Sequence, residues 1–113
     1  MIWVIKMLYD KFVPKRVTEL RMSKGVSARD MSLSIGQNPS YINRIENGTS
    51  LPSLAGLHYI CEYFGITYAE FFDEGNVMPG RLRELNERLC KLTPAQIDVV
   101  MAVVSEFEKE HKK

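Results

Sequence analysis

The segment Ser27–Gly48, SARDMSLSIGQNPSYINRIENG, limits the fold more than any other part of this chain. It sets two short helical patterns on either side of one glycine. Ser27 is a natural N-cap, and Asp30, three positions on, is a weaker relative of the capping-box acid. Met31, Ile35 and Ala28 form the inner face of this helix. Gly36 permits the positive φ that a sharp turn between helices requires. Asn38 and Pro39 read as N-cap and first residue of the next helix. On it Ile42 and Ile45 turn inward, and Gly48 closes it. Helices this short are marginal alone, so both must be packed against others.

The flanking sequence supplies those others. Residues 1–11 are a short apolar N-terminal arm. Pro14 then suits the first turn of a helix, where a missing N–H is harmless. Val17, Leu20 and Lys24 follow at helical spacing, and Gly25 is a good stop. After the loop Thr49–Leu51 and the restart at Pro52-Ser53, a fourth helix places Leu54, Leu57, Ile60, Cys61 and Phe64 on one face. Gly65 ends it, and Thr67 caps a short fifth helix whose Phe71 and Phe72 cover the core. Asp73–Pro79 is rich in turn residues. Beyond it Leu82, Leu85, Leu89 and Leu92 recur at helical spacing. Thr93-Pro94 breaks the pattern, and Ile97, Val100, Met101, Val104 and Phe107 resume it. The tail His111-Lys112-Lys113 is charged and expected to fray. No strand pattern and no internal repeat is present. The expected architecture is all-α: an arm (1–11), a five-helix domain (12–75), a linker (76–79) and a C-terminal helical hairpin (80–110).

Charge is distributed unevenly. Residues 1–50 hold eight Lys/Arg against four acids, and residues 51–113 hold seven against ten, so a basic part precedes an acidic one within a net charge of +1. That arrangement suits a polyanion on one side and a different partner on the other. Cys61 and Cys90 are too few and too far apart for a disulfide scaffold or a zinc site. Cys61, in an apolar helical pattern, is expected as a small buried thiol. No apolar run is long enough to span a bilayer, and MIWVIKMLY lacks the basic start and small-residue cleavage site of a signal peptide. Together with reduced cysteines, this points to the cytoplasm. Enzymatic readings lack support, because no glycine-rich phosphate loop, metal-ligand cluster or nucleophile with a nearby base occurs. His58 reads as a surface or edge residue. Glu106, Glu108 and Glu110 read as a solvated helix end. No catalytic residue, metal or cofactor is expected.

The third helix carries the chemistry. Ser40, Asn43, Arg44 and Asn47 fall at i, i+3, i+4 and i+7, opposite Ile42 and Ile45, and so form one polar row. A helix that enters the major groove presents short polar or basic side chains in this way. Arg44 suits the bidentate contact to guanine O6/N7, Asn43 suits adenine N6/N7, and Ser40 serves a base or a phosphate. Gln37 and Asn38 lie at the helix N-terminus, where free amides and the helix dipole attract phosphate. A solvated face of an amphipathic helix would look similar.

The wider pattern favours the first reading. From about Val13 to Asp73 the chain resembles the phage repressor and Cro type of helix-turn-helix regulator, the xenobiotic-response-element (XRE) family. The likeness rests on RVTELRMSKGVS, DMSLSIGQNPSYINRIENG, TSLPSL and GLHYICEYFGITYAEFF. Arg21, Gly25, Gly36, Ile42, Ile45 to Gly48, Pro52 to Leu54 and Phe64 to Ile66 are specific as a set. The resemblance implies a five-helix lambda-repressor-like DNA-binding domain. It places Pro39, Ser40 and Arg44, with Asn43 beside them, at base-contacting positions, and Asn47 at a position that donates to the DNA backbone. Arg21 and Glu46 match a helix-to-helix ion pair, which also makes sense alone, since a half-buried acid needs a partner. Tyr41 is open to two uses, a ring against the second helix and a hydroxyl at a phosphate.

Three positions depart from the pattern. Ala28 stands where relatives often carry a glutamine that contacts phosphate. Ser32 stands where a small apolar residue, usually alanine, packs between the two helices, so its hydroxyl must bond to the preceding turn. Pro39 offers only apolar contact, for instance to a thymine methyl. The hairpin's apolar stripes need cover, either by folding back onto the first domain or by pairing with another chain, and a homodimer on palindromic DNA is the expected use. The expected function is therefore a sequence-specific DNA-binding transcriptional regulator, a homodimeric repressor whose partner is double-stranded DNA, with no membrane role. The alternative is a protein-interaction module or antitoxin-type regulator whose hairpin holds a regulatory protein.

Overall fold

The computed structural model describes residues 1–111, and α1 (Ile2–Lys24), α2 (Ala28–Ser34), α3 (Tyr41–Glu46), α4 (Leu54–Phe64), α5 (Tyr68–Phe71), α6 (Pro79–Leu89) and α7 (Pro94–His111) follow one another with no strand among those residues. The expected fraying of Lys112 and Lys113 lies outside the described residues. The chain divides into two units, Met1–Pro79 and Gly80–Lys113.

In the first unit, Val13, Val17 and Leu20 of α1 meet Met31 of α2, Ile42 and Ile45 of α3, Leu57, Ile60 and Cys61 of α4, and Phe71 of α5. Each element bears only one to three of these side chains, so none buries a core alone. Caps set the boundaries. The Ser27 hydroxyl accepts from the Asp30 N–H, Ser53 from Gly56, and Thr67 forms a full capping box with Glu70. Gly25 and Gly65 end α1 and α4 in the left-handed conformation, φ 75° and 66°.

Four details differ from the sequence-based expectations. The arm does not stand apart, because α1 starts at Ile2 and carries Pro14 in its interior rather than its first turn. Residues 2–13 contain no glycine, and the backbone bond that Pro14 removes is a single one, to the Asp10 carbonyl. The turn before α3 is longer than expected. Pro39 and Ser40 lie in that turn and α3 begins at Tyr41, because the Asn38 side chain folds back to accept from the Ser40 N–H at 3.1 Å. Leu54, assigned to the inner face of α4, is 86% exposed, since it overhangs the edge of the core at the first helical position. Phe72 is also nearly half exposed. It stacks on Phe12, ring centroids 5.7 Å apart, while Phe71 fills the core.

Arg16 is the largest fully buried side chain. Its guanidinium donates to the carbonyls of Phe71 at 2.5 Å, Glu70 at 2.7 Å and Asn76 at 3.0 Å, and pairs with Glu19. It thus reaches the carbonyls at the end of α5, where a cation is favoured. The Ser23 hydroxyl donates to the Val77 carbonyl. Asn76 and Val77 are therefore tied to α1.

The second unit holds α6 and α7, joined by a short turn at residues 90–93. Thr93 and Gln96 form a reciprocal cap at the start of α7. Residues 97 to 104, IDVVMAVV, are apolar on nearly every side, yet α7 buries none of its residues. Val99, Met101 and Phe107 are more than half exposed, and Leu82 and Leu85 of α6 nearly half.

Candidate nucleic-acid interface

α3 is only six residues long and holds its orientation through its neighbours. Ile42 and Ile45 are fully buried and pin it to α1 and α2. Gly36, at φ 74°, makes the turn out of α2. With the inner face fixed, Ser40, Asn43, Arg44 and Asn47 all fall on the exposed side, and Pro39 is exposed in the turn ahead of them.

The row is organised before anything binds it. Asn38 Oδ1 accepts from the Ser40 N–H, from the Ser40 hydroxyl at 2.9 Å and from Arg44 Nη2 at 3.2 Å. At the other end, Asn47 Oδ1 accepts from the Thr49 N–H and hydroxyl, and the Arg44 carbonyl accepts from the N–H groups of Thr49 and Ser50. Both asparagines use their carbonyl oxygens within the fold, which turns their amide N–H groups to the outside. Gln37 is half-buried in the turn, with its N–H on the Ser32 carbonyl.

The helix-turn-helix family matches residues 17–71. No curated protein and no solved structure matches the chain. Residues 17–71 are a helix-turn-helix domain of the Cro/C1 type, the XRE family. The fold of α1 to α5 is lambda-repressor-like, α2 and α3 are its helix-turn-helix, and the family is one of DNA-binding regulators.

Within this domain, Arg21 braces the helix that follows the turn. Its Nε and Nη2 reach the two carboxylate oxygens of Glu46 at 2.7 and 2.9 Å, and its Nη1 donates to the Val26 carbonyl. The hydrogen bond that Arg21 donates to Glu46 raises the Arg21 pKa above that of a free guanidinium, against the opposing effect of burial. Both side chains are mostly buried, so the fork holds the C-terminal end of α3 firmly.

Ser32 takes up the N-terminal end. It is fully buried, and its hydroxyl donates to the Ala28 carbonyl at 2.7 Å, the bond to the preceding turn that the sequence requires. The same oxygen accepts the Ile42 N–H at 3.0 Å. This second bond was not foreseen. It supplies one of the orphan donors of α3, whose N-cap Ser40 makes no side-chain cap. A polar residue at an apolar helix-contact position was the available signal.

The Tyr41 hydroxyl lies against Gly56 at the start of α4, where an added Cβ would collide with it, and the residue packs half-buried on the core. Burial pushes its pKa up. Gly56 was not singled out in the sequence, although a buried glycine one turn into a helix is the kind of residue that marks a close approach.

His58 is exposed, 3.0 Å from the Tyr68 hydroxyl through Nδ1 and 3.3 Å from Glu62 through Nε2. Among the described residues no group of three or more His, Cys, Asp or Glu is placed to hold a metal ion. No helix among them is long and apolar enough to cross a membrane.

Proposed function

We propose that this protein is a homodimeric, sequence-specific transcriptional repressor that works in the cytoplasm and reads the major groove with α3. The observation that carries this reading is the exposed row on α3 over an inner face of two fully buried isoleucines. Pro39, Ser40, Asn43 and Arg44 meet base edges, with Arg44 as the fork for guanine. Gln37, the outward amides of Asn38 and Asn47, and the Tyr41 hydroxyl beside the α4 N-terminus meet phosphates. Arg21 and Glu46 hold the helix at its working angle.

The hairpin 80–110 is the dimer element. Its exposed leucines, valines, Met101 and Phe107 are the apolar side chains that such an interface would cover. A self-complementary pairing of α6 and α7 covers both copies at once. Two half-sites one helical turn apart, or a multiple of it, follow.

Selection of duplexes from a random pool, with the mass of the complex measured by light scattering, tests the proposal. The expected result is an enriched palindrome bound by two chains. Arg44→Ala loses about 1–3 kcal/mol of discrimination at one position, and Asn47→Ala weakens all sequences evenly. An unenriched pool removes the repressor reading. A chain that binds DNA as a monomer removes the dimer and leaves the hairpin to a different protein, as in an antitoxin-type regulator.

A further inference from the structure

The matched domain has a charge balance that a DNA-binding face does not explain. Residues 17–71 hold four cations, Arg21, Lys24, Arg29 and Arg44, against five acids. Two of the four are engaged by partners within the domain. Arg21 is forked to Glu46, and the Lys24 ammonium sits 4.1 Å over the Tyr63 ring and 3.3 Å from its carbonyl. Arg29 and Arg44 remain, and Arg44 belongs to the base-reading row. Yet phosphate neutralisation supplies most of the sequence-independent affinity for DNA.

The missing charge lies ahead of the matched domain. Residues 1–16 hold Lys6, Lys11, Lys15 and Arg16 against Asp10 alone. Arg16 is buried under residues 70–76, and Lys15 faces Glu74 at 3.4 Å. Lys11, five residues beyond Lys6, lies about 140° round the helix from it. Lys6 is exposed and, with Asp10, lines a cavity of about 300 Å³ whose other wall is Gly48–Leu51. That wall is the loop leaving α3, bonded back to Arg44 and Asn47. Only the continuity of α1 through Pro14 brings Lys6 there.

We propose that Lys6 takes a phosphate of the DNA backbone flanking the site that α3 reads, so that the first turns of α1 extend the interface beyond the helix-turn-helix domain. This rests on the DNA-reading role of α3 given above. Asp10 is the carboxylate on the same cavity. One of its oxygens is buried without a hydrogen-bond partner, and its charge opposes the phosphate.

The test is the salt dependence of binding by the full chain, between about 50 and 200 mM salt, to the selected duplex and to a mixed-sequence duplex of about 20 base pairs. Lys6→Gln is expected to lower the slope of log affinity against log salt by about 0.9 on both duplexes and to weaken binding about three- to tenfold at low salt. Lys6→Arg keeps both. Lys15→Gln changes neither, and Asp10→Asn strengthens binding. An unchanged slope in a fully helical Lys6→Gln chain overturns the proposal, and so does an equal loss in Lys15→Gln. Should Lys6→Gln lose helicity, Asp10→Asn decides, and unchanged or weaker binding overturns it. A wild-type chain that binds neither duplex removes the reading of α3 as well. Failure of Lys6→Gln alone leaves that reading intact.

Discussion

Replacing Ser32 by alanine tests how α3 is held. The hydroxyl bridges the Ala28 carbonyl and the Ile42 N–H inside a fully buried contact. The Ala28 carbonyl keeps its helical bond when the hydroxyl goes, so little is lost there. The Ile42 N–H is left in the core with no acceptor, at a cost of about 1–3 kcal/mol. The space vacated is one oxygen atom, too small for a water to enter. Against this, alanine is the better helix former by about 0.5 kcal/mol. The net expected loss is about 1–2 kcal/mol, or roughly 5–10 °C in melting temperature for a unit of this size. Urea and thermal unfolding followed by circular dichroism measure it. Ser34→Ala, exposed on the same helix, is the control and stays within about 0.5 kcal/mol of the parent. The reasoning fails if Ser32→Ala is as stable as the parent. That result would mean the Asn38 carbonyl, four residues before Ile42, takes over as acceptor.

Two further outcomes follow from groups buried in the first unit. Arg16→Met keeps the apolar stem but strips three carbonyls and Glu19 of their donor, and is expected to destabilise the fold by about 3 kcal/mol or more in urea unfolding, with Arg16→Lys recovering part of it. Burial pushes the Cys61 thiol up to about 11, so the folded state keeps the proton that the unfolded chain gives up near pH 8.5. Its contribution to stability is complete below that pH and declines as pH rises towards 11, and Cys61→Ala removes this decline in pH-dependent unfolding.

Much of the architecture could be read from caps and glycines. Ser27, Thr67, Gly25, Gly36 and Gly65 act locally, through their own φ angles or hydroxyls, so the sequence carries their effect directly. The row on α3 was legible for the same reason, since spacing alone puts four residues on one side of a helix. What escaped depends on distant partners. Pro14 signals a helix start, but the packing of Val13 and Val17 on either side carries α1 through it. Arg16 looks like any surface cation until α5 and Asn76 arrive, more than fifty residues later, to surround it. Ser32 and Gly56 look like minor departures until Ile42 and Tyr41 come to rest on them. Asn38 was placed as a simple N-cap, because nothing local shows that its side chain reaches Arg44.

That reach has a consequence for how such a protein changes its target. Asn38 accepts a hydrogen bond from Arg44 in the unbound chain, so under the proposed reading of the groove the guanidinium would arrive with less freedom to lose. A substitution at position 38 would therefore alter preference at a base it never touches, by releasing the arginine to sample other poses. A change of target could then begin within the turn, before any of the proposed base-reading side chains is exchanged.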